Sequence, residues 1–358
     1  MDYSIDFLPV GDSNGDAICI AYQDIYEAAP HIDIIDGGYS DIGESLVKHL
    51  DNFFGTRSVD NVLLTHADDD HAVGLIKVME QCIVGTLYMN RPWLFVDSIL
   101  HHFHGNYTRQ GLIDRLREMH PYLVDLEEIA YKNGVKVCDA FQGTQFGCST
   151  ILAPSRERYI SLLPDLEKTP TAYRSTSNPF VRAAGLVRGV VDDGLEYWDV
   201  ETLEEHPTPT SASNETSVVQ QLQFGEFTAL LTGDAGPKAL HEAADYAEMH
   251  GYLQRPNVFQ IPHQGSRRNV TPSSLNRWLG GQYSSEPSEP RGYAACSVGA
   301  NKTSHPRKKV TNALRRRGYK TQLARKDTLQ YGYGTLKRNW GNAPVVPWYH
   351  DVTEDEDR

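Results

Sequence analysis

Two histidines and three aspartates fall within one short run, Thr65-His66-Ala67-Asp68-Asp69-Asp70-His71. Imidazole nitrogens and carboxylate oxygens in one loop suit zinc, manganese or iron. No cysteine is nearby, which argues against a closed structural zinc site. Three consecutive aspartates alone would read as a solvated acidic turn. Histidines on either side, directly after the apolar Val62-Leu63-Leu64, make His66, Asp68, Asp70 and His71 candidate metal ligands, with Asp69 an outer or capping residue. Asp234 is a second candidate, because it follows the apolar Leu230-Leu231-Thr232-Gly233 and a carboxylate at such a strand end needs a neutralising partner.

The elements that must hold these residues can be read from apolar spacing. Ile5–Val10 and Ala17–Tyr22, separated by a turn-rich stretch, read as a hairpin, and Ile32–Gly38 as a strand stopping at paired glycines. Ile42, Leu46, Val47, Leu50 and Phe53 share one face of a helix, and Val59–Thr65 is a short core strand running into the His/Asp loop. A helix follows over 72–81, and 94–133, with clustered His101, His102 and His104, is largely helical. Strands return at 217–222, 227–231, 258–261 and 293–298. The Pro-, Ser- and Thr-rich stretch 156–213 reads as a loop-rich insertion or lid on a single domain spanning 1–345, and 346–358 as an acidic, disordered tail. No repeat of fixed period is evident.

Charge is unevenly distributed. The chain carries −13 in total, yet residues 251–340 hold 17 basic residues against three acids, a net of +14, leaving −27 for the rest. Such asymmetry suits an anionic partner, although a basic lobe docked on an acidic one would look the same. Arg315-Arg316-Arg317 reads as a solvated helix face. Five scattered cysteines without a C-x-x-C pair indicate reduced thiols and a cytoplasmic protein, and no apolar run is long enough to span a bilayer, so no membrane role is expected.

The His/Asp loop resembles the H-x-H-x-D-H signature of the metallo-β-lactamase superfamily. It is more narrowly similar to the hydrolase domain of the competence DNA-uptake protein ComEC, where aspartate replaces the second histidine, as Asp68 does here. The likeness continues in order through Gly15-Asp16-Ala17, Asp36-Gly37-Gly38, Asn214–Val219, Leu230–Asp234, Ile261-Pro262-His263-Gln264-Gly265-Ser266, and Ser297-Val298-Gly299-Ala300-Asn301 with His305-Pro306. It implies an α+β four-layer αβ/βα sandwich, two mixed sheets packed face to face with helices outside. It also implies two divalent ions, with His66 and Asp68 on one, Asp70, His71 and His263 on the other, and Asp234 bridging. Asp70 and Asp234 would orient an attacking hydroxide, with His305 assisting. Asn214, Ser266, Arg267, Asn301 and Lys302 would contact substrate. Two departures matter: Asn214 lies about where a further histidine is usual, and Gln264 replaces the second histidine of P-H-H-G-S. The His66/Asp68 ion is therefore expected to be weak and exchangeable, favouring manganese or magnesium over a second permanent zinc.

The expected function is a metal-dependent phosphodiesterase or nuclease cleaving DNA, or RNA, through a metal-activated hydroxide. A small phosphodiester such as a cyclic nucleotide, a carboxylic ester, thioester or lactam, and a non-enzymatic, metal-stabilised module in a larger assembly remain open alternatives.

Overall fold

The continuous apolar runs of the early strands are explained by burial on both faces. In Ala17–Gln23, Ala17, Cys19 and Ala21 pack towards helices, while Ile18, Ile20 and Tyr22 pack towards a second sheet. A strand covered on both sides needs no polar alternation. The computed structural model describes residues 1–103, 107–166 and 194–353.

Fourteen strands lie among these residues. They are β1 (Asp2–Phe7), β2 (Ala17–Gln23), β3 (His31–Gly37), β4 (Ser58–Leu63), β5 (Ile83–Tyr88), β6 (Lys136–Cys138) and β7 (Gln145–Phe146), then β8 (Ser149–Ala153), β9 (Val219–Phe224), β10 (Phe227–Leu231), β11 (Val258–Gln260), β12 (Gly292–Ser297), β13 (Tyr319–Ala324) and β14 (Leu329–Tyr333). They form two seven-stranded sheets, ordered β14-β1-β2-β3-β4-β5-β6 and β13-β12-β11-β10-β9-β8-β7. Each has an antiparallel half and a parallel half. Helices α1 (Ser40–Phe53), α2 (Asp69–Gln81), α3 (Val96–Ile99), α4 (Arg109–Met119) and α5 (Pro121–Asn133) belong to the first half of the chain. Further on come α6 (Arg156–Leu162), α7 (Ala212–Glu215), α8 (Pro237–Met249), α9 (Pro272–Leu279) and α10 (Lys308–Arg316). One core packs the first sheet against α1, α2, α4 and α5, a second packs the other sheet against α8, α9 and α10, and a third fills the space between sheets. This is the four-layer sandwich expected from the sequence.

Close approach of α2 to the end of β3 sets up the centre described below. A Cβ on Gly74 would overlap the carbonyl of Gly37, and the Gly74 amide donates to Gly38 O at 2.8 Å. Only glycine lets the helix sit this near, so the first turn of α2 lies over the end of the strand that carries Asp36.

Four expectations need correction. First, Arg316 and Arg317 are fully buried rather than solvated. Arg316 pairs with buried Glu196 and donates to Trp198 O at 2.9 Å, and Arg317 grips both oxygens of Glu201 at 2.7 and 3.0 Å. Their forked geometry satisfies carboxylates supplied by the stretch after residue 193, so part of the apparent basic excess is neutralised internally. Second, the loop-rich stretch 156–213 opens with α6, and 194–201 is clamped by those arginines; residues 167–193 lie outside the described residues. Third, 346–353 is packed against the fold instead of forming a tail. Val352 is buried, the Val352 amide donates to Gly194 O at 2.7 Å, and the Glu196 amide donates to His350 O at 2.8 Å. Residues 354–358, and His104, are likewise outside the described set. Phe53, expected on the buried face of α1, is 45% exposed and meets Trp340 edge-on at 5.4 Å. No helix among the described residues is long and apolar enough to cross a membrane.

Burial of Asp33 in β3 gives a testable pH dependence. Its Oδ1 accepts from Asn61 Nδ2 at 2.7 Å and the Tyr22 hydroxyl also lowers its pKa, but burial outweighs both and pushes the carboxyl up from 3.8 to about 7. The folded protein therefore holds a proton that the unfolded chain has released, so this contribution is complete below the unfolded value and is lost as pH rises through about 7. Asp33→Asn should stabilise the protein by about 2 kcal/mol above that range and have little effect well below it. Urea unfolding across pH reads the difference; equal stability of the two proteins at alkaline pH would contradict it.

Candidate metal centre

The His/Asp loop leaves β4 and becomes the first turn of α2. Asp68 occupies the N-cap position and Asp69 and Asp70 the first turn, where carboxylates suit the positive end of the helix. An N-cap aspartate ordinarily accepts from backbone amides of the first turn. Asp68 makes no such bond. Its Oδ1 instead accepts from Ser213 Oγ at 2.7 Å and its Oδ2 lies 3.5 Å from His66 Nε2. The capping group has been turned to the site.

Asp234 is the centre of the arrangement. Its Oδ1 lies 3.6 Å from His71 Nε2, and its Oδ2 lies 3.8 Å from both His66 Nε2 and His263 Nε2. These separations are too long for hydrogen bonds. His66 Nε2 and His71 Nε2 are both buried without a hydrogen-bond partner. Two buried, unpartnered imidazole nitrogens aimed at one carboxylate are costly unless something between them accepts their lone pairs. His66, His71 and Asp234 each offer a ligand atom within 4.8 Å of the others, as a bound cation requires.

A second shell fixes which nitrogen faces inward. His71 Nδ1 donates to Asp36 Oδ2 at 2.7 Å. Thr65 Oγ1 also donates to Asp36 Oδ2, at 2.7 Å, and so is left to accept from His66 Nδ1 at 3.0 Å. One carboxylate thus holds both rings with the Nδ1 proton outward and the Nε2 lone pair towards Asp234, the orientation a metal ligand needs. Asp36 adopts a left-handed backbone, φ 55°, which aspartate tolerates better than most residues. Asp16 joins Asp36 and His71 in a second buried group, and burial raises its carboxyl to about 6 despite the neighbouring His71.

The electrostatics agree with a cation site. Burial opposes a charged His71, yet Asp36 and Asp234 raise it well above its ordinary value. His66 is raised too, Asp68 and Asp234 outweighing burial and the adjacent His71. Burial works against the Asp234 carboxylate, but His263, His71 and His66 hold it below the usual range. The cluster has more carboxylate than the histidines alone neutralise, so it attracts positive charge, and the donor set fits a divalent ion.

The expected residues are brought together unevenly. His263 sits after β11 on consecutive left-handed residues, His263 and Gln264, with φ 47° and 55°. Its Nδ1 lies 3.2 Å from Asn269 Oδ1 and 2.8 Å from Asn214 Nδ2, and Asn269 Nδ2 donates to Asp234 O at 2.8 Å. Asn214, expected to touch substrate, is buried and bonded to His263 and to Thr210 Oγ1 at 2.8 Å, so it positions a histidine instead. Ser266 is also buried, its Oγ accepting from the Arg268 amide at 3.3 Å, which removes it from a substrate-facing role. Asp70, expected as ligand and catalytic carboxylate, belongs to neither tight group of ligand atoms among the described residues. Its main chain packs on Gly15, where any Cβ would overlap the Asp70 carbonyl. His305 and Lys302 lie on a loop beside the centre. The Arg307 amide donates to Gly265 O at 3.0 Å, and Asn301 Nδ2 donates to Asp12 Oδ1 at 2.6 Å. Arg267 lies in the turn after His263. In the expected partition Asp234 bridges a His66/Asp68 ion and an Asp70/His71/His263 ion; here His66 and His263 face one Asp234 oxygen and His71 the other, while Asp70 joins neither tight group.

Asp36 and Asp16 stand in two of the matching motifs, yet the sequence marks neither as a ligand. Asp36 carries the signal that singled out Asp234, a carboxylate ending a buried strand before glycine. Thr65, Ser213 and Asn269 carried none, because hydroxyl and amide groups in turns are common.

No protein-family model matches the sequence, and no curated protein matches it. Among solved structures, the metallo-β-lactamase fold protein YhfI from Bacillus subtilis is similar at 9% identity, covering 92% of this chain and 99% of its own, with a TM-score of 0.39. A diphosphatase from the PhnP family is similar at 12% identity, covering 93% and 99%, with a TM-score of 0.39. CmlA, a diiron β-hydroxylase from Streptomyces venezuelae, is similar at 12% identity over 92% of this chain and 54% of its own, with a TM-score of 0.43.

Proposed function

We propose that this protein is a metal-dependent hydrolase of the metallo-β-lactamase type and that its substrate is a phosphodiester of a nucleic acid. The observation that carries the hydrolase reading is the pair of buried, unpartnered Nε2 atoms of His66 and His71 converging on Asp234. His66, Asp68 and Asp234 would hold one divalent ion, and His71, His263 and Asp234 another; zinc and manganese both suit these donors. Ions held there supply a water of lowered pKa and Lewis-acid stabilisation of a developing oxyanion.

The chain's own residues contribute orientation and charge. Asp36 and Thr65 lock the imidazole tautomers. Asn214 and Asn269 hold His263. Lys302 and Arg325 stand on the adjoining loop and strand end, where cations favour a phosphate over a neutral ester. The narrower likeness of the His/Asp loop to the DNA-uptake hydrolases also favours nucleic acid.

The test is a panel: purified protein with Mn²⁺, Zn²⁺ or Mg²⁺ against bis-p-nitrophenyl phosphate, linear duplex DNA, single-stranded DNA and RNA. Cleavage of the small diester and of a polynucleotide is expected. Cleavage of no phosphodiester with any metal would overturn the substrate assignment and leave an ester, thioester or lactam, or a binding module, in its place.

A further inference from the structure

A groove runs between the outermost strands of the two sheets. Strands β13 and β14 end their respective sheets, and residues 340–346 lie across the gap, with Gln322 Nε2 donating to Ala343 O at 2.9 Å and the Val346 amide to Thr321 O at 2.9 Å. Two adjoining cavities of about 830 and 630 Å³ line this gap, with Thr328, Leu329 and residues 340–343 and 345 in the walls of both; the two together are called the channel. Among the described residues its walls carry Arg291, Lys320, Arg325, Lys326 and Lys337 against a single acid, Asp327. Arg338 is already answered by Asp6 at 2.6 Å and stacks over Phe53 at 4.4 Å and Trp340 at 5.1 Å, so it shapes the wall without adding net charge.

Aromatic rings are interleaved with these cations. Tyr293 and Tyr331 lie 6.1 Å apart, Tyr3 stacks on Phe227 at 4.6 Å, and all four line the channel. Trp340 is 40% and Tyr293 36% exposed. The loop 302–307 links the channel wall to the segment that carries His263. Arg325, in the wall, donates to the carbonyls of Lys302 and His305, and the following residues rest on Gly265 beside His263.

We infer that this channel between the β13 and β14 edges binds a single strand of nucleic acid and leads it to or from the metal centre. Cations without matching acids among the described residues attract a phosphate chain, and the exposed rings of Trp340 and Tyr293 can stack bases irrespective of sequence. Residues 340–346 lie across the channel, which suits one strand better than a double helix. The six-residue strand β13 spans about 20 Å, enough for several nucleotides. The inference rests on the nucleic-acid reading of the adjoining centre, but its test does not need catalysis.

Fluorescence anisotropy of labelled oligothymidylate and oligouridylate with the full chain in EDTA, where no turnover occurs, measures binding alone. Both strands should bind, and the matching duplex should bind at least about tenfold more weakly. Combined Lys320→Ala, Lys326→Ala and Lys337→Ala substitutions should reduce affinity by about tenfold or more and flatten the log–log salt slope by about 2, each lost cation on a single strand accounting for roughly 0.7. Trp340→Ala should weaken binding by about tenfold with the salt slope unchanged. Duplex binding as tight as single-strand binding, inorganic polyphosphate competing as well as the oligonucleotide, or an unchanged salt slope in the lysine variant would each overturn the inference. Bis-p-nitrophenyl phosphate, too short to reach the channel, judges the hydrolase reading separately. Its cleavage without oligonucleotide binding sinks the channel alone, and binding without any cleavage sinks the hydrolase alone.

Discussion

Asp234→Asn should abolish hydrolysis and strip the protein of divalent metal. The carboxylate faces His71 through one oxygen and His66 and His263 through the other, so a single substitution removes the one group common to every ligand. Asparagine keeps the shape and offers one carbonyl oxygen, but it loses the negative charge that balances the cation and cannot place an anionic oxygen on both sides. Loss of turnover by about a thousandfold or more is expected, with metal content after dialysis falling from a defined stoichiometry to a trace. Elemental analysis reads the metal directly, so the result does not depend on having chosen the right substrate. His71→Ala should act in the same direction. Retained metal and retained activity in Asp234→Asn would remove the centre proposed here.

The second large effect should come from a residue far from any chemistry. Arg316→Ala should lower the free energy of unfolding by about 3–5 kcal/mol, because it leaves Glu196 as an uncompensated buried carboxylate and frees the carbonyls of Trp198 and Val200. Glu196 also accepts from Asn312 Nδ2 at 3.1 Å, so its removal spreads through the packing of α10. The pair Arg316→Met with Glu196→Gln should recover most of that loss, since a neutral replacement carries no buried charge. Urea unfolding of the two variants gives the comparison. A loss below about 1 kcal/mol for Arg316→Ala would show that the pair is better hydrated than its burial indicates. The arginine pins the stretch leading to α7, whose Ser213 and Asn214 touch Asp68 and His263. Metal affinity should therefore weaken along with stability.

Residues near one another in the chain were read most reliably. The hairpin β1–β2, helices α1 and α2, and the strand–loop–helix unit bearing His66, Asp68 and His71 all follow from local periodicity and from the chemistry of their side chains. Arg316 and Arg317 show the limit of such reading. A run of three arginines in a polar helix looks solvated until Glu196 and Glu201, more than a hundred positions away, are placed on it. The same applies to Asn214 and Ser266, polar residues whose partners are set by folding and not by spacing.

The sequence by itself determined that a cluster of imidazoles and carboxylates would leave a buried strand, and that an isolated aspartate after another apolar strand would need a neutralising partner. Both are local consequences of charge at a strand end. Only the tertiary structure decided that these two strand ends face one another across the sandwich, that Asp36 holds both imidazoles, and that Asp70 stays outside the tight ligand groups. It also decided the symmetry of the fold, two sheets each with an antiparallel and a parallel half, which leaves no repeat in the sequence. The reason is physical: strand pairing depends on backbone hydrogen bonds that every residue but proline can make, so β14 beside β1, with Tyr331 opposite Ile5, has no local signature. What joins distant segments is the sum of packing and pairing across the whole chain, and the candidate metal centre is where several of those segments meet.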